Sequence, residues 1–282
     1  MIDTLTQSLI TALVSMGWLM IMFIPLERAF PADRDQPVVR HGLLTDVLFF
    51  FGQYVVFGAL AYAILSVCLL PLQQWGALKG LQAQFLGLPI WAQVVIVLMF
   101  GDFMAYWGHR LQHNNALLWR FHSVHHTSEH VDWLAAHREH PLDGLYTQSM
   151  VNLPALVLGF DLGAAMGVMA FRSLWAIFIH ANVRVPLGPL KYLVGSPNLH
   201  RWHHARDQHV GNYANLGPWL DLLFGTYYLP DEGPAALGLD EPTPQDYPGL
   251  LLHPFKKQGA PTPEEAPGEA EDQRGAPDCS LA

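Results

Sequence analysis

The chain has 282 residues, 51% of them hydrophobic and only 14% charged, against about 25% charged in an ordinary soluble domain. Its formal net charge of −9 is concentrated at one end: residues 231–282 carry eleven Asp and Glu against Lys256, Lys257 and Arg274, a net of −8 that leaves −1 for the rest. No basic stripe remains to grip a nucleic acid, and two cysteines, Cys68 in an apolar run and Cys279 in the acidic tail, exclude a disulfide framework or a cysteine-based zinc site.

Residues 5–26 are continuously apolar, long enough to cross a hydrocarbon core of roughly 30 Å. A cleaved signal peptide is the alternative, but only Asp3 precedes the run, and no small-residue cleavage site follows it before Pro25-Leu26-Glu27-Arg28. A second span is expected over 43–70, with Asp46 near its start and Pro71 closing it. A third is expected over 90–107, entered by Pro89. Residues 147–181 are apolar again but broken by Pro154, Gly159 and Gly163. They read as two helices joined near Asp161 that return the chain to its starting side. Arg172 falls inside the second. A charge at a helix centre costs about 2.5–3.5 kcal/mol on insertion scales, so Arg172 is expected to face protein in a structural role.

Arg28, Arg34 and Arg40 lie between the first two spans and only Lys79 between the second and third. Arg110, Arg120 and Arg138 follow the third, and Arg184, Lys191, Arg201 and Arg206 follow the last. This distribution places the N-terminus outside and the segments after the third and last spans in the cytoplasm. Beyond Phe255 the chain turns to Pro, Glu, Gly and Ala, a disordered tail by composition. The fold class expected is all-α: an integral membrane bundle with a cytoplasmic, histidine-rich helical cap.

Thirteen of the fifteen histidines fall between His109 and His209. His109 and His113, in "HRLQH", are four apart and share one face of a helix continuing from the third span. His122, His125 and His126, in "HSVHH", stand at i, i+3 and i+4, and His200, His203 and His204, in "HRWHH", repeat that spacing. Three short helical pieces thus present eight imidazoles, too many for one metal ion and enough for two. Eight protonated imidazoles would repel, each pushing its neighbours' pKa down. Neutral, they are nitrogen ligands suited to Zn, Cu, Fe or Ni. A lone HxxxH is more often structural, whereas HxxxH followed by two HxxHH at the mouth of a membrane bundle is specific.

Other histidines are less directed. His137 and His140, three apart in "AAHREHPLD", are expected to add a ligand or to support one. His180 ends the last membrane helix and faces the same layer, with an ordinary helix-end histidine as the alternative. His130 and His209 read as surface or supporting groups. Asp102, seven residues before His109, lies on nearly the same helical face, placed to orient a ligand imidazole through its second nitrogen.

The boxes "HRLQH", "HSVHH" and "HRWHH" resemble those of the fatty acid hydroxylase/sterol desaturase superfamily. The flanking phrases "GDFMAYWGHR", "REHPLD" and "NYANLGPWLDLLFGTYY" agree, and the likeness runs over about residues 90–230. One departure is Ala214, in "NYA" where the family usually has "NYG". The resemblance implies a membrane enzyme whose boxes hold two iron ions, with zinc a replacement during purification. It implies O2 as co-substrate and a lipid, sterol or similar apolar molecule as the substrate hydroxylated or desaturated. Carried over, His109, His113, His122, His125, His126, His200, His203 and His204 are metal ligands, and His140 and His180 match further histidines often found at the metals. His137 is outside that pattern and, with Asp102, is assigned a supporting place. The division expected is N-terminal transmembrane helices over 1–88, a hydroxylase-like catalytic domain over 89–257, and the tail over 258–282.

An unactivated C–H bond needs an oxidant that protein side chains lack, so a redox metal must supply it. No GxGxxG opens a strand–helix unit, no cysteine cluster suits an iron–sulfur centre, and neither His140-Pro141 nor His253-Pro254 is followed by Gly-Gly as in a fused cytochrome b5. Electrons are therefore expected from a separate donor protein, at what is expected to be the inner membrane. Two rivals stand beside this reading. A bis-histidine haem cytochrome predicts isolated histidines at membrane depth. A zinc transporter or other metal-binding membrane protein predicts His and acidic residues along a transmembrane path, which the first two spans lack.

Overall fold

The computed structural model describes residues 2–58, 60, 63–64, 67, 75–206 and 211–256; His209 and the acidic tail lie outside the described residues. The described regular elements are helical, with only isolated bridges between Pro31 and Val183 and between Ala205 and Leu237. Three of these helices are long and apolar enough to cross a membrane: Leu5–Ala29, Ile90–Asn114 and Gly163–His180. They leave Trp18, Ile21, Trp91 and Phe100 more than half exposed, as lipid-facing side chains are, and the chain is an integral membrane protein. Of the run expected over 43–70, Leu43–Phe57 is a shorter apolar helix, and much of the remainder lies outside the described residues.

Helix α1 (Ile2–Ala29) continues through Pro25, further than the sequence suggests. Its last turn is drawn inward because the Glu27 carboxylate accepts from the backbone N–H groups of Trp133 and Asn182, both at 2.9 Å. Phe23 of α1 joins Phe50, Trp133 and Ile177 in one buried cluster. Helix α2 (Leu43–Phe51) passes into a π-helical turn over Gly52–Phe57, and α3 (Lys79–Leu86) leads to α4 (Ile90–Asn114).

Helix α4 carries His109 and His113 on its last turns and stops at Asn115, whose side chain caps α5 (Ala116–His126) by accepting from Leu117 and Leu118 N–H. The chain thereby reverses sharply and places the second box beside the first. Helix α6 (Pro141–Leu158) starts with Pro at its first position and ends at Gly159, where φ of +70° favours glycine. Asp161 caps α7 (Leu162–His180) by accepting from Ala164 N–H, so the break expected near Asp161 is present. Ser196 and Pro197 open α8 (Pro197–His203), which carries the third box. Two short helices, α9 (Trp219–Leu223) and α10 (Tyr247–Leu252), close the cap.

Arg172 is buried against α4. Its Nη1 donates to the Leu98 carbonyl at 3.2 Å, and Nη2 lies 3.7 Å from Asp102, the bundle-facing place expected for a charge at that depth.

Candidate metal centre

The three boxes and His180 meet in two adjoining groups. Ring nitrogens of His109, His113, His122, His126 and His203 lie within 4.8 Å of one another, and so do those of His125, His180, His200 and His204. Helix α5 contributes to both groups because its i, i+3, i+4 spacing fans three rings across one face. Helix α8 does the same with its own triplet. The groups touch: the His126 and His204 rings stack with centroids 4.5 Å apart.

The outward nitrogens are spoken for. Nδ1 of His109 donates to the Tyr213 carbonyl (3.0 Å), of His125 to Arg138 (3.1 Å), of His180 to Ala176 (2.6 Å) and of His203 to Gly211 (2.8 Å). Nδ1 of His122 donates to Oδ2 of Asp143 at 2.9 Å, and Oδ1 of Asp143 in turn accepts from Gln112. A carbonyl can only accept, so the rings of His109, His125, His180 and His203 carry their proton on Nδ1 and, when neutral, point a bare lone pair inward from Nε2, as His122 does against the ionised Asp143 carboxylate.

Those lone pairs face one another. Nε2 of His109 is 3.1 Å from Nε2 of His122, and Nε2 of His125 is 2.9 Å from Nε2 of His180. Two lone pairs at that distance repel unless a cation sits between them. Protons are disfavoured there: burial pushes His122 down to about 3, and burial, reinforced by neighbouring imidazoles, holds His125, His126, His200, His203 and His204 well below the usual value. Among the described residues, Nε2 of His126, Nε2 of His203 and Nδ1 of His204 have no hydrogen-bond partner, a costly state for buried polar atoms. Neutral, inward lone pairs with no proton to share are what metal ions require, so the donor set fits two of them.

His140 lies elsewhere. Its Nδ1 accepts from Leu142 N–H at 3.2 Å, capping α6, and its ring packs against Phe121 and Phe255. His137 is buried edge-on against Phe50, outside both groups. His130 is half-buried, its carbonyl accepting from Ser128. Asp102 is turned away from the histidines: its two oxygens accept from Leu216 and Gly217 N–H, both at 2.9 Å. The face it shares with His109 meets a backbone loop at that depth.

That loop, "GNYANLGPWLD", is a device for aiming imidazoles. Asp221, fully buried, accepts from Tyr213 and Ala214 N–H at 2.8 and 3.1 Å. Asn212, at φ +55°, bonds the Leu199 and Tyr228 carbonyls. The backbone held between them supplies the Gly211 and Tyr213 carbonyls that orient His203 and His109. Ala214 is itself buried with Tyr106 and Leu220. Asp143 and Asp221 were not singled out by sequence reasoning. The available signal was their place inside phrases that flank the boxes.

Both groups border one cavity of about 490 Å3, whose wall includes His109, His122, His125, His180 and His200 together with apolar Phe57, Met150, Met169 and Ile177. This volume is in the usual range for small-molecule sites, about 300–1,000 Å3.

Residues 94–226, which contain all nine grouped histidines, match the model of the fatty acid hydroxylase family. The chain is 31% identical over 175 residues to ornithine lipid hydroxylase OlsE of Rhizobium tropici, covering 61% of this chain and 53% of that protein. It is 33% identical over 143 residues to alkylglycerol monooxygenase of Homo sapiens, covering 50% and 32%. To delta(7)-sterol 5(6)-desaturase ERG3A of Gibberella zeae it is 30% identical over 141 residues, covering 50% and 39%. It therefore spans about half the length of the first relative and 32–39% of the other two. No solved structure matches it. The histidine boxes and the loop that aims them lie inside the matched segment, and it is this segment, 94–226, that is similar to the fatty acid hydroxylase family.

Proposed function

We propose that this chain is a membrane-bound, non-haem di-iron oxidoreductase that uses O2 to hydroxylate or desaturate a lipid, sterol or similar apolar substrate. The observation that carries the reading is the pair of histidine groups opening together onto one largely apolar cavity. The ligands are His109, His113, His122, His126 and His203 for one ion and His125, His180, His200 and His204 for the other. Iron held there supplies the oxidising capacity for an unactivated C–H bond that no side chain provides.

The chain's own residues do the rest. Asp143 and the carbonyls of Tyr213, Arg138, Ala176 and Gly211 hold five imidazoles in the tautomer that presents Nε2 inward. Phe57, Met150, Met169 and Ile177 give the substrate an apolar wall and keep water from the reacting carbon. The relatives' names include a hydroxylase of ornithine lipids, a monooxygenase of alkylglycerols and a sterol desaturase, which supports a lipid-like substrate. The Lys and Arg distribution supports a cytoplasmic site in the inner membrane and an N-terminus outside. Residues 89–257 form the catalytic unit, residues 1–88 its membrane anchor, and a separate protein delivers electrons. Comparative lipid profiling of host membranes with and without the protein tests the reading. A lipid that gains oxygen or loses two hydrogens only when the wild-type chain is present supports it. Unchanged profiles with an iron-loaded protein and a competent reductant contradict it.

A further inference from the structure

We propose that Asp46, on α2 and far in sequence from every histidine box, is a positioning residue for the second metal group; the inference rests on the di-metal reading above. Asp46 is fully buried between two guanidiniums. Its Oδ2 accepts from Arg40 Nη2 at 2.6 Å and its Oδ1 from Arg138 Nε at 2.5 Å. Arg138 is 1% exposed, and its side chain has weaker contacts to Thr127, Gln245 and the Gly42 carbonyl at 3.2–3.4 Å. Its backbone carbonyl accepts the Nδ1 proton of His125. One residue is thus tied at its side chain to α2 and at its main chain to a histidine of the second group.

Arg40 reinforces the same segment from the other end. It grips both oxygens of Asp132, and Oδ1 of Asp132 accepts from Leu134 and Ala135 N–H, shaping the turn that leads into Arg138. Asp46 therefore holds both arginines that fix residues 132–138. Arginine suits this task because its planar fork fixes direction as well as charge.

Three of the five rings of the first group are aimed from elsewhere. His122 is aimed by Asp143, His109 by Tyr213 and His203 by Gly211, none of which bonds Asp46 or its arginines. Losing the Asp46 charge leaves Arg40 with Asp132 but takes from buried Arg138 the carboxylate that holds it, and the turn over 132–138 is then the part free to shift. Supporting partners of metal ligands typically tune affinity by 10–100-fold, and here that effect falls on one ion.

The test uses the full chain in lipid nanodiscs, stripped of metal and titrated with Co2+, for wild type, Asp46→Asn and Asp46→Glu. Metal per chain, the cobalt optical bands, the electron paramagnetic resonance signal and circular dichroism are recorded. Wild type is expected to bind two coupled ions. Asp46→Asn is expected to keep its helix content and first ion while binding the second at least about tenfold more weakly, with the signal of a single uncoupled ion at one equivalent. If Asp46→Asn does not fold, Asp46→Glu carries the test, since it keeps the charge and displaces the carboxylate by one methylene. Two ions of wild-type affinity in a folded variant overturn the proposal, and so does equal weakening of both. A wild-type chain that binds fewer than two ions overturns the di-metal reading itself.

Discussion

Nε2 of His125 and Nε2 of His180 stand 2.9 Å apart with the Nδ1 proton of each ring already donated to a backbone carbonyl. Neither nitrogen has a proton for the other, so the pair is held together by the fold and completed by a cation. Replacing one such ring removes a ligand without disturbing a membrane helix. His125→Ala and His203→Ala are each expected to abolish lipid oxidation and to reduce bound metal below two ions per chain, with membrane insertion unchanged. Full activity in either variant defeats the assignment.

Asp143 acts through His122. Asp143→Asn keeps the shape but offers an amide where a carboxylate accepted from both Nδ1 of His122 and Gln112. Metal affinity or turnover is expected to fall about 10–100-fold, measured by metal titration and by product formation per chain. A variant with wild-type affinity and turnover shows the carboxylate to be ornamental.

Asp102→Ala removes the acceptor for Leu216 and Gly217 N–H and the counter-charge of buried Arg172. Removing one partner of a buried ion pair costs about 3–5 kcal/mol. The variant is expected to melt well below wild type in detergent and to lose metal as the loop that aims His109 and His203 loosens. An unchanged melting curve contradicts the role given to that clamp.

Burial holds His122 and His137 down to about 3, against 6.5 for an unperturbed histidine. Between those values the unfolded chain takes up protons that the folded metal-free chain refuses. The contribution of each such histidine is therefore fully present above about pH 6.5 and falls as pH drops toward 3, by about 1.4 kcal/mol per pH unit. Burial raises the Asp143 and Glu139 carboxyls to about 7 and about 8 and gives them the opposite sign, stability gained as pH falls through those values. Below pH 6.5 the buried histidines outnumber the buried carboxyls, so melting of the metal-free protein is expected to shift downward between pH 6 and pH 5. A flat profile shows that these imidazoles are protonated in the folded state.

The convergence of the boxes was legible because i, i+3, i+4 spacing survives any helix packing: once 109–113, 122–126 and 200–204 are helical, each must show its rings on one side. The termini of α5 and α8 were also written locally, in Asn115 and in Ser196-Pro197. What aims the rings was not legible. The Tyr213, Gly211 and Arg138 carbonyls belong to the backbone, which has no sequence signature, and reach the histidines only after long chain reversals. Asp102 illustrates the limit of periodicity. It does lie on the face of His109, but two turns deeper that face meets the 216–217 loop. His140 likewise shares a spacing with His137 but is spent on capping α6.

The most direct test of the central claim is a single-turnover experiment with 18O2. The full chain, loaded anaerobically with two ferrous ions in nanodiscs of host lipid, is exposed to labelled oxygen, and the lipids are analysed by mass spectrometry. One lipid species is expected to gain a single 18O atom or lose two hydrogens, at up to one equivalent per chain, and none with His109→Ala. A fully loaded wild-type chain that leaves every host lipid unoxidised contradicts the claim.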